Sequence, residues 1–345
     1  VNSKHMVKKA IFNQENILVI GGAGFIGSHL CDELIQRAKV LCVDNFLTGR
    51  EDNIAHLLQN SNFKFINQDI VAGLDLENYP LPKQFEVAFQ GLQEIYFLAT
   101  PGSPKFYMDK PLETMMANSI GLRNALELAV KYKSKFLYIS SPSVCADVFP
   151  TQPIDEKFIG PVNQLGLRAC YSESLRFGET LVNNYRLQYN LDTKIVRLFN
   201  TYGPRMDLHD GRMIPELIKD VLLGNKITVY GEEKEVSSYC YIKDVIKGIV
   251  KVMARGENGP INLGSDWKIT LSELAKKVSL LNDKNLRIVY EEKNQLMIKQ
   301  PIPDITLMKE AIGWFPIVLI DEGLRETYDY LNAYKDILGT NKFGQ

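Results

Sequence analysis

Along this chain the hydrophobic positions come in short unbroken runs, most of them followed by a stretch of helical periodicity. NILVIGGAGFIGSHLCDELIQR, from Asn16, is an apolar strand, a glycine turn and an amphipathic helix. KVLCVDN is a second strand ending in an acid, FKFINQDI a third, EIYFLAT a fourth, KFLYISS a fifth and TKIVRLFN a sixth. Helical patterns separate most of them, as over Leu112–Lys131 and Tyr171–Gln188. This alternation predicts an α/β fold, a doubly wound parallel sheet of Rossmann type with helices on both faces. The runs lack strict polar–apolar alternation, as expected where both faces are covered. After Asn200 the pattern loosens, and TYGPRMDLHDGRM carries turn signals at Gly203–Pro204 and Asp210–Gly211. A helix from about Pro215 to Leu223, a strand in KITVYG and a strand and helix in SSYCYIKDV follow, and residues 266–316 read as a small lobe of helix and strand. No repeat, low-complexity tract or proline-rich tether appears, so this lobe is expected to pack on the sheet. The predicted division is residues 15–203 plus 238–265 for the Rossmann domain and 204–237 plus 266–330 for a smaller α/β substrate lobe.

Composition narrows the class. The chain has 345 residues, 45% of them hydrophobic, which is ample for a sizeable core. Forty basic residues against 41 acidic ones leave the net charge near zero, which argues against a nucleic-acid or membrane-surface partner. No apolar run approaches the roughly 18 residues of a membrane span, and no signal peptide is read. VNSKHM at the start reads as an expression remnant, and residues 1–5 are set aside. The five cysteines form no CxxC, the usage of a reducing, cytoplasmic compartment. The four histidines lack metal-ligand spacing, so no metal is expected.

The first turn carries the clearest chemistry. Gly21, Gly24 and Gly27 follow a strand and open a helix. The first glycine permits the tight turn, the second lets a pyrophosphate approach the backbone, and the third lets helix and strand pack closely. The helix start then offers free N–H groups to the phosphates. Asp44 ends the second strand, placed to accept from both ribose hydroxyls and to repel a 2′-phosphate, so the expected cofactor is NAD rather than NADP. Arg50 lies near enough to soften that preference. Asp69, after the third strand, is positioned to bind the adenine amino group.

From about Asn16 to Pro316 the chain resembles the extended short-chain dehydrogenase/reductases, the NAD-dependent epimerases and dehydratases of nucleotide sugars. It is most similar to the UDP-glucuronate decarboxylase (UDP-xylose synthase) branch. The resemblance rests on GGAGFIGSHL at 21, DNFLTGR at 44, LATPGSPKFYM at 98, NQLGLRACY at 163, RLFNTYGPRM at 197 and HDGRM at 209. It implies a two-lobed fold with NAD across the strand C-termini and a UDP-linked sugar in the cleft. In such enzymes hydride leaves sugar C4 for NAD while a tyrosine takes the hydroxyl proton; the 4-keto uronate then loses CO2 and hydride returns. By resemblance, Tyr171 and Ser141 are the catalytic pair. The implied NAD contacts are Gly21, Gly24, Phe25, Ile26, Gly27, Asp44, Asn45, Phe46, Thr48, Gly49, Asp69, Ile70, Leu98, Ala99, Thr100 and Tyr171. The implied substrate contacts are Tyr107, Arg168, Asn200, Arg205 and Arg212, with Asn118 behind the site. A homodimer is implied too, paired through helices carrying Met115, Met116, Leu122, Leu126, Leu181 and Tyr185.

The chain departs from that pattern where the chemistry is expected. Leu175 stands where the resemblance expects the lysine that lowers the tyrosine pKa. Free tyrosine ionises near pH 10, so about one in a thousand is phenolate at neutral pH without help. Ser143 replaces a glutamate, Ser237 an arginine expected at the diphosphate, and Pro301 aligns with a second such arginine. Lys234 and Lys243 lie close in sequence to that region. Three readings follow: a nucleotide-sugar enzyme with an altered Tyr-Leu site, which the retained residues favour; a weakly active or inactive NAD-binding homologue acting as a regulatory or partner subunit; and an oxidoreductase on another substrate.

Overall fold

The computed structural model describes residues 14–209, 211–282, 286–293 and 299–338. The expectations for residues 1–5 and for Asp210 lie outside them.

The predicted strands form one sheet. Asn16–Ile20 (β1), Lys39–Asp44 (β2), Phe63–Asn67 (β3), Glu94–Phe97 (β4), Lys135–Ser140 (β5) and Thr193–Leu198 (β6) are joined by Pro260–Leu263 (β7). All neighbours pair parallel, in the order β7-β6-β5-β4-β1-β2-β3. Every residue of β1 and β2 is buried. Their side chains alternate between two apolar layers, Ile17, Val19, Val40 and Cys42 entering one and Leu18, Ile20, Leu41 and Val43 the other. A sheet covered on both faces therefore has unbroken hydrophobic strands, and each fully buried Val, Leu or Ile contributes about 1.5–3 kcal/mol.

The longer helices are Phe25–Leu34 (α1), Pro104–Asp109 (α2), Pro111–Met116 (α3), Leu122–Tyr132 (α4), Ala169–Tyr189 (α5), Met213–Leu223 (α6), Ile242–Arg255 (α7), Leu271–Ser279 (α8) and Ile320–Leu338 (α9). The helix expected over Leu112–Lys131 is not uniform: α3 and α4 are joined by a π-helical turn at Ala117–Gly121, with one residue more per turn than an α-helix accommodates. SSYCYIKDV holds only the end of the two-residue strand Val236–Ser237 and the strand Cys240–Tyr241 before α7 begins. Beyond β6, Ile227–Tyr230 pairs with Ile288–Glu291 and Val236–Ser237 with Ile269–Thr270. α8 starts with a reciprocal cap, the Glu273 amide donating to the Thr270 hydroxyl at 3.1 Å and the Thr270 amide to the Glu273 carboxylate at 2.9 Å. No described helix is long and apolar enough to cross a membrane.

Strand order reverses between β1 and β4, so the loops after these two strands diverge and leave a crevice at their C-terminal ends.

Candidate active site

The crevice is a cavity of about 560 Å³ whose wall runs from the glycine turn to the start of α5 and on to Tyr230, Glu235 and Lys293. Gly21 has φ +83°, and a Cβ there would stand 2.6 Å from the Leu98 carbonyl carbon. A Cβ on Gly27 would meet the Gly21 carbonyl oxygen at 2.1 Å, so these two positions accept no side chain. Gly24 stands at the cap of α1, and no side chain caps the helix start. The first N–H groups of the helix therefore face the turn that a diphosphate would fill. The Asp44 carboxylate accepts from the Ala23 amide at 2.9 Å and from the Phe46 amide at 2.8 Å. It thereby ties the glycine turn to the loop after β2. Burial raises its pKa against the pull of these hydrogen bonds. Asp69 lines the same wall, while one of its oxygens accepts from the Val71 amide at 2.8 Å. A side-chain-free turn, an uncapped helix start and an acid at the end of β2 fit a dinucleotide.

Of the residues expected at the site, most line this one cavity. Phe46 and Gly49 do not: Phe46 packs on Phe65 with ring centroids 5.0 Å apart, and Gly49 backs the Asp44 carboxylate, where a Cβ would stand 2.8 Å from Oδ1. Asn118 lies behind the wall, fully buried. Lys234 and Lys243 are not at the wall, and Lys243 pairs with Glu326 at 2.7 Å. Sequence reading missed Lys293, Lys299 and Glu235, which do line it; Lys293 pairs with Glu235. No local motif marks these three, because they reach the wall from segments far along the chain from the glycine turn and α5.

At the far end stands Tyr171, in the first turn of α5. Its ring stacks on Tyr107 at a centroid distance of 4.6 Å and an interplanar angle of 16°. Burial raises the Tyr171 phenol, opposed by a hydrogen bond with Ser141 and by the charges of Arg168 and Arg212. The Arg168 guanidinium donates to the Tyr107 hydroxyl and to the Ser143 hydroxyl, both at 3.1 Å. Burial pushes the Tyr107 phenol up to about 12. Among the described residues no carboxylate pairs with Arg168. Leu175 is 1% exposed, belongs to the apolar layer and still reaches the cavity wall. The lysine position is therefore a packed core position. The Asn200 amide donates to the Ser238 carbonyl at 3.2 Å and toward the Ser237 hydroxyl at 3.4 Å. Arg205 forms an ion pair with Asp32 at 2.7 Å, and its backbone adopts φ 68°.

Residues 17–264 match the model of the NAD dependent epimerase/dehydratase family. The chain is 38% identical over 310 residues to UDP-glucuronic acid decarboxylase 4 of Arabidopsis thaliana, which covers 89% of this chain and 66% of that protein. It is 37% identical over 322 residues to UDP-glucuronic acid decarboxylase 6 of the same plant, covering 92% of this chain and 90% of that one. Among solved structures, UDP-glucuronic acid 4-epimerase from Bacillus cereus, in complex with UDP-glucuronic acid and NAD, superposes with a TM-score of 0.78. That pair is 26% identical, over 93% of this chain and all of the other.

Proposed function

The chain belongs to the NAD dependent epimerase/dehydratase family, and from that premise we propose that it oxidises a UDP-linked sugar at C4, with UDP-glucuronate as substrate, through a slow Tyr-Leu site. The observation that carries this reading is the continuity of the cavity. One wall presents the glycine turn, Asp44, Ser141, Tyr171 and Arg168 together. NAD, when bound, supplies the hydride acceptor for the sugar carbon. Gly21, Gly24, Gly27 and Asp44 are the residues that hold it. Tyr171 takes the proton of the sugar hydroxyl, and Ser141 orients that hydroxyl. Arg168, Asn200 and Arg212 contact the sugar nucleotide. A general base is worth roughly 10²- to 10⁴-fold, and here the Tyr171 phenol is raised by burial and, among the described residues, no lysine ammonium acts on it. The same proposal takes residues 15–203 plus 238–265 as the cofactor domain. It also places the protein in the cytoplasm, for which the support is five unpaired cysteines.

The test is incubation with NAD and UDP-glucuronate, following CO2 and NADH absorbance. Turnover should be slow and should rise in a Leu175→Lys, Ser143→Glu, Ser237→Arg variant, with Tm measured beside rate because Leu175 is a core residue. Brisk turnover by the parent would show that another group is the base.

The burial of Leu175 favours a second reading, a cofactor-binding subunit without turnover. Thermal shift separates the two: UDP-glucuronate raises Tm under the first and leaves it unchanged under the second.

A further inference from the structure

Four polar side chains far apart in sequence meet behind the cavity wall. Asn118, in the π turn, is fully buried and sits at their centre. Its Nδ2 donates to the Thr114 carbonyl at 3.3 Å and to the Ser174 hydroxyl at 3.1 Å. Its Oδ1 accepts from the Thr100 hydroxyl at 2.6 Å and from the Tyr138 hydroxyl at 3.1 Å. A carbonyl can only accept, so the Thr114 contact fixes which end of the amide is which. Both hydroxyls must then donate to Oδ1. Ser174 in turn donates to the Tyr171 carbonyl at 3.2 Å, tying the hub to the first turn of α5.

Tyr138 reaches Asn118 because residue 178 is glycine. A Cβ at Gly178 would lie 2.3 Å from the Tyr138 hydroxyl oxygen and 2.7 Å from its ring carbon. Thr100 occupies the other side of the hub and lines the cavity, two residues beyond the Leu98 carbonyl that crowds Gly21. Its one hydroxyl proton is committed to Asn118. What it shows the cavity is therefore a pair of acceptor sites.

We propose that Tyr138 is a positioning residue for the cofactor site: by sharing Asn118 Oδ1 with Thr100 it holds Thr100 as an obligate acceptor for a donor group of the dinucleotide. The proposal rests on NAD as the cofactor. It assigns a function to the Tyr138–Gly178 pair, which touches neither cavity nor ligand.

The test is NADH binding, followed by fluorescence titration, with Tm recorded for each variant. Thr100→Val keeps the shape and removes the hydroxyl, and should weaken binding about three- to tenfold, the worth of one hydrogen bond. Thr100→Ser keeps the hydroxyl and should bind like the parent. Tyr138→Phe keeps the ring and should weaken binding about two- to fivefold. Gly178→Ala, which displaces the Tyr138 hydroxyl, should act in the same direction. In a Thr100→Val background Tyr138→Phe should have no further effect on Kd. Unchanged affinity in Tyr138→Phe would overturn the proposal. So would a Tyr138→Phe effect that multiplies in full with that of Thr100→Val, since the two residues would then act independently. No NADH binding by the parent would overturn the cofactor assignment, and the proposal with it.

Discussion

Tyr171 must lose its proton before it can act as a base, and its surroundings hold that proton on. Burial is the largest influence, and Ser141, Arg168 and Arg212 only oppose it. Because the phenol stays above its ordinary range, the phenolate fraction grows roughly tenfold per pH unit throughout the neutral and mildly alkaline range. The expected profile of kcat/KM therefore climbs steadily from about pH 7 to about pH 9 without a plateau. Leu175→Lys should bring a plateau to lower pH, since an ammonium favours the phenolate. A flat parent profile would remove Tyr171 from the role of base. His29 shows the opposite sign. Burial first, and the charge of Arg205 second, push its imidazole down from 6.5 to about 4. Between those values the unfolded chain binds a proton that the folded chain refuses, so stability falls as pH drops through that window, by up to about 3 kcal/mol. The ring nitrogen lies 2.9 Å from the Pro204 carbonyl, a contact that a glutamine amide can also make. His29→Gln should lose less Tm than the parent between about pH 7 and about pH 5; parallel losses would show that other groups govern the acid limb.

The turn between β1 and α1 separates two uses of glycine that look alike in the sequence. A methyl on Gly27 would sit 2.1 Å from a backbone oxygen, whereas one on Gly24 would meet nothing closer than 3.3 Å. Gly27→Ala should cost about 3 kcal/mol and NADH binding together. Gly24→Ala should keep its Tm within a few degrees yet weaken NADH binding, because the methyl would stand where the diphosphate comes closest to the backbone. Equal Tm losses in the two variants would contradict this division. The strands and the α1 turn were legible because their signals are local: unbroken apolar runs, a glycine spacing, an acid at a strand end. β7 was not, since Pro260 and Asn262 interrupt the apolar run of Pro260–Leu263. The π turn escaped because a period read over Leu112–Lys131 averages away one extra residue. Tyr171, Ser141 and Leu175 were legible through the resemblance. The hub of Thr100, Asn118, Tyr138 and Ser174 was not, because only the packed sheet and α5 bring those positions together.

Over the whole molecule, apolar surface remains on the face made by α3, the π turn and α5. Met115 is 39% exposed, Met116 38%, Ile120 40% and Phe177 50%. Leu122 and Leu126, expected at a subunit interface, are instead buried within the chain, and Leu181 and Tyr185 pack against its core. The exposed set still supports a homodimer through this face. Light scattering at micromolar concentration should give twice the chain mass, and Met116→Lys together with Phe177→Lys should give one. A parent that runs as a monomer would refute the pairing. The seven-stranded order also bears on how the chain comes off the ribosome. β1 to β6 are all made by Leu198, but β7, which pairs with β6 on its outer side, arrives after residues 199–259 have been synthesised. During that interval a nearly complete sheet carries an open row of backbone donors and acceptors, the template on which strands of separate chains associate. A chain ended just before Pro260 would keep that edge for good and should collect in the insoluble fraction, while one ended after α7 and β7, at about residue 266, should stay in solution longer, because β7 opens with a proline and its Asn262 amide donates to the Glu156 carboxylate at 2.9 Å, so the last strand is a stopper that offers little edge of its own.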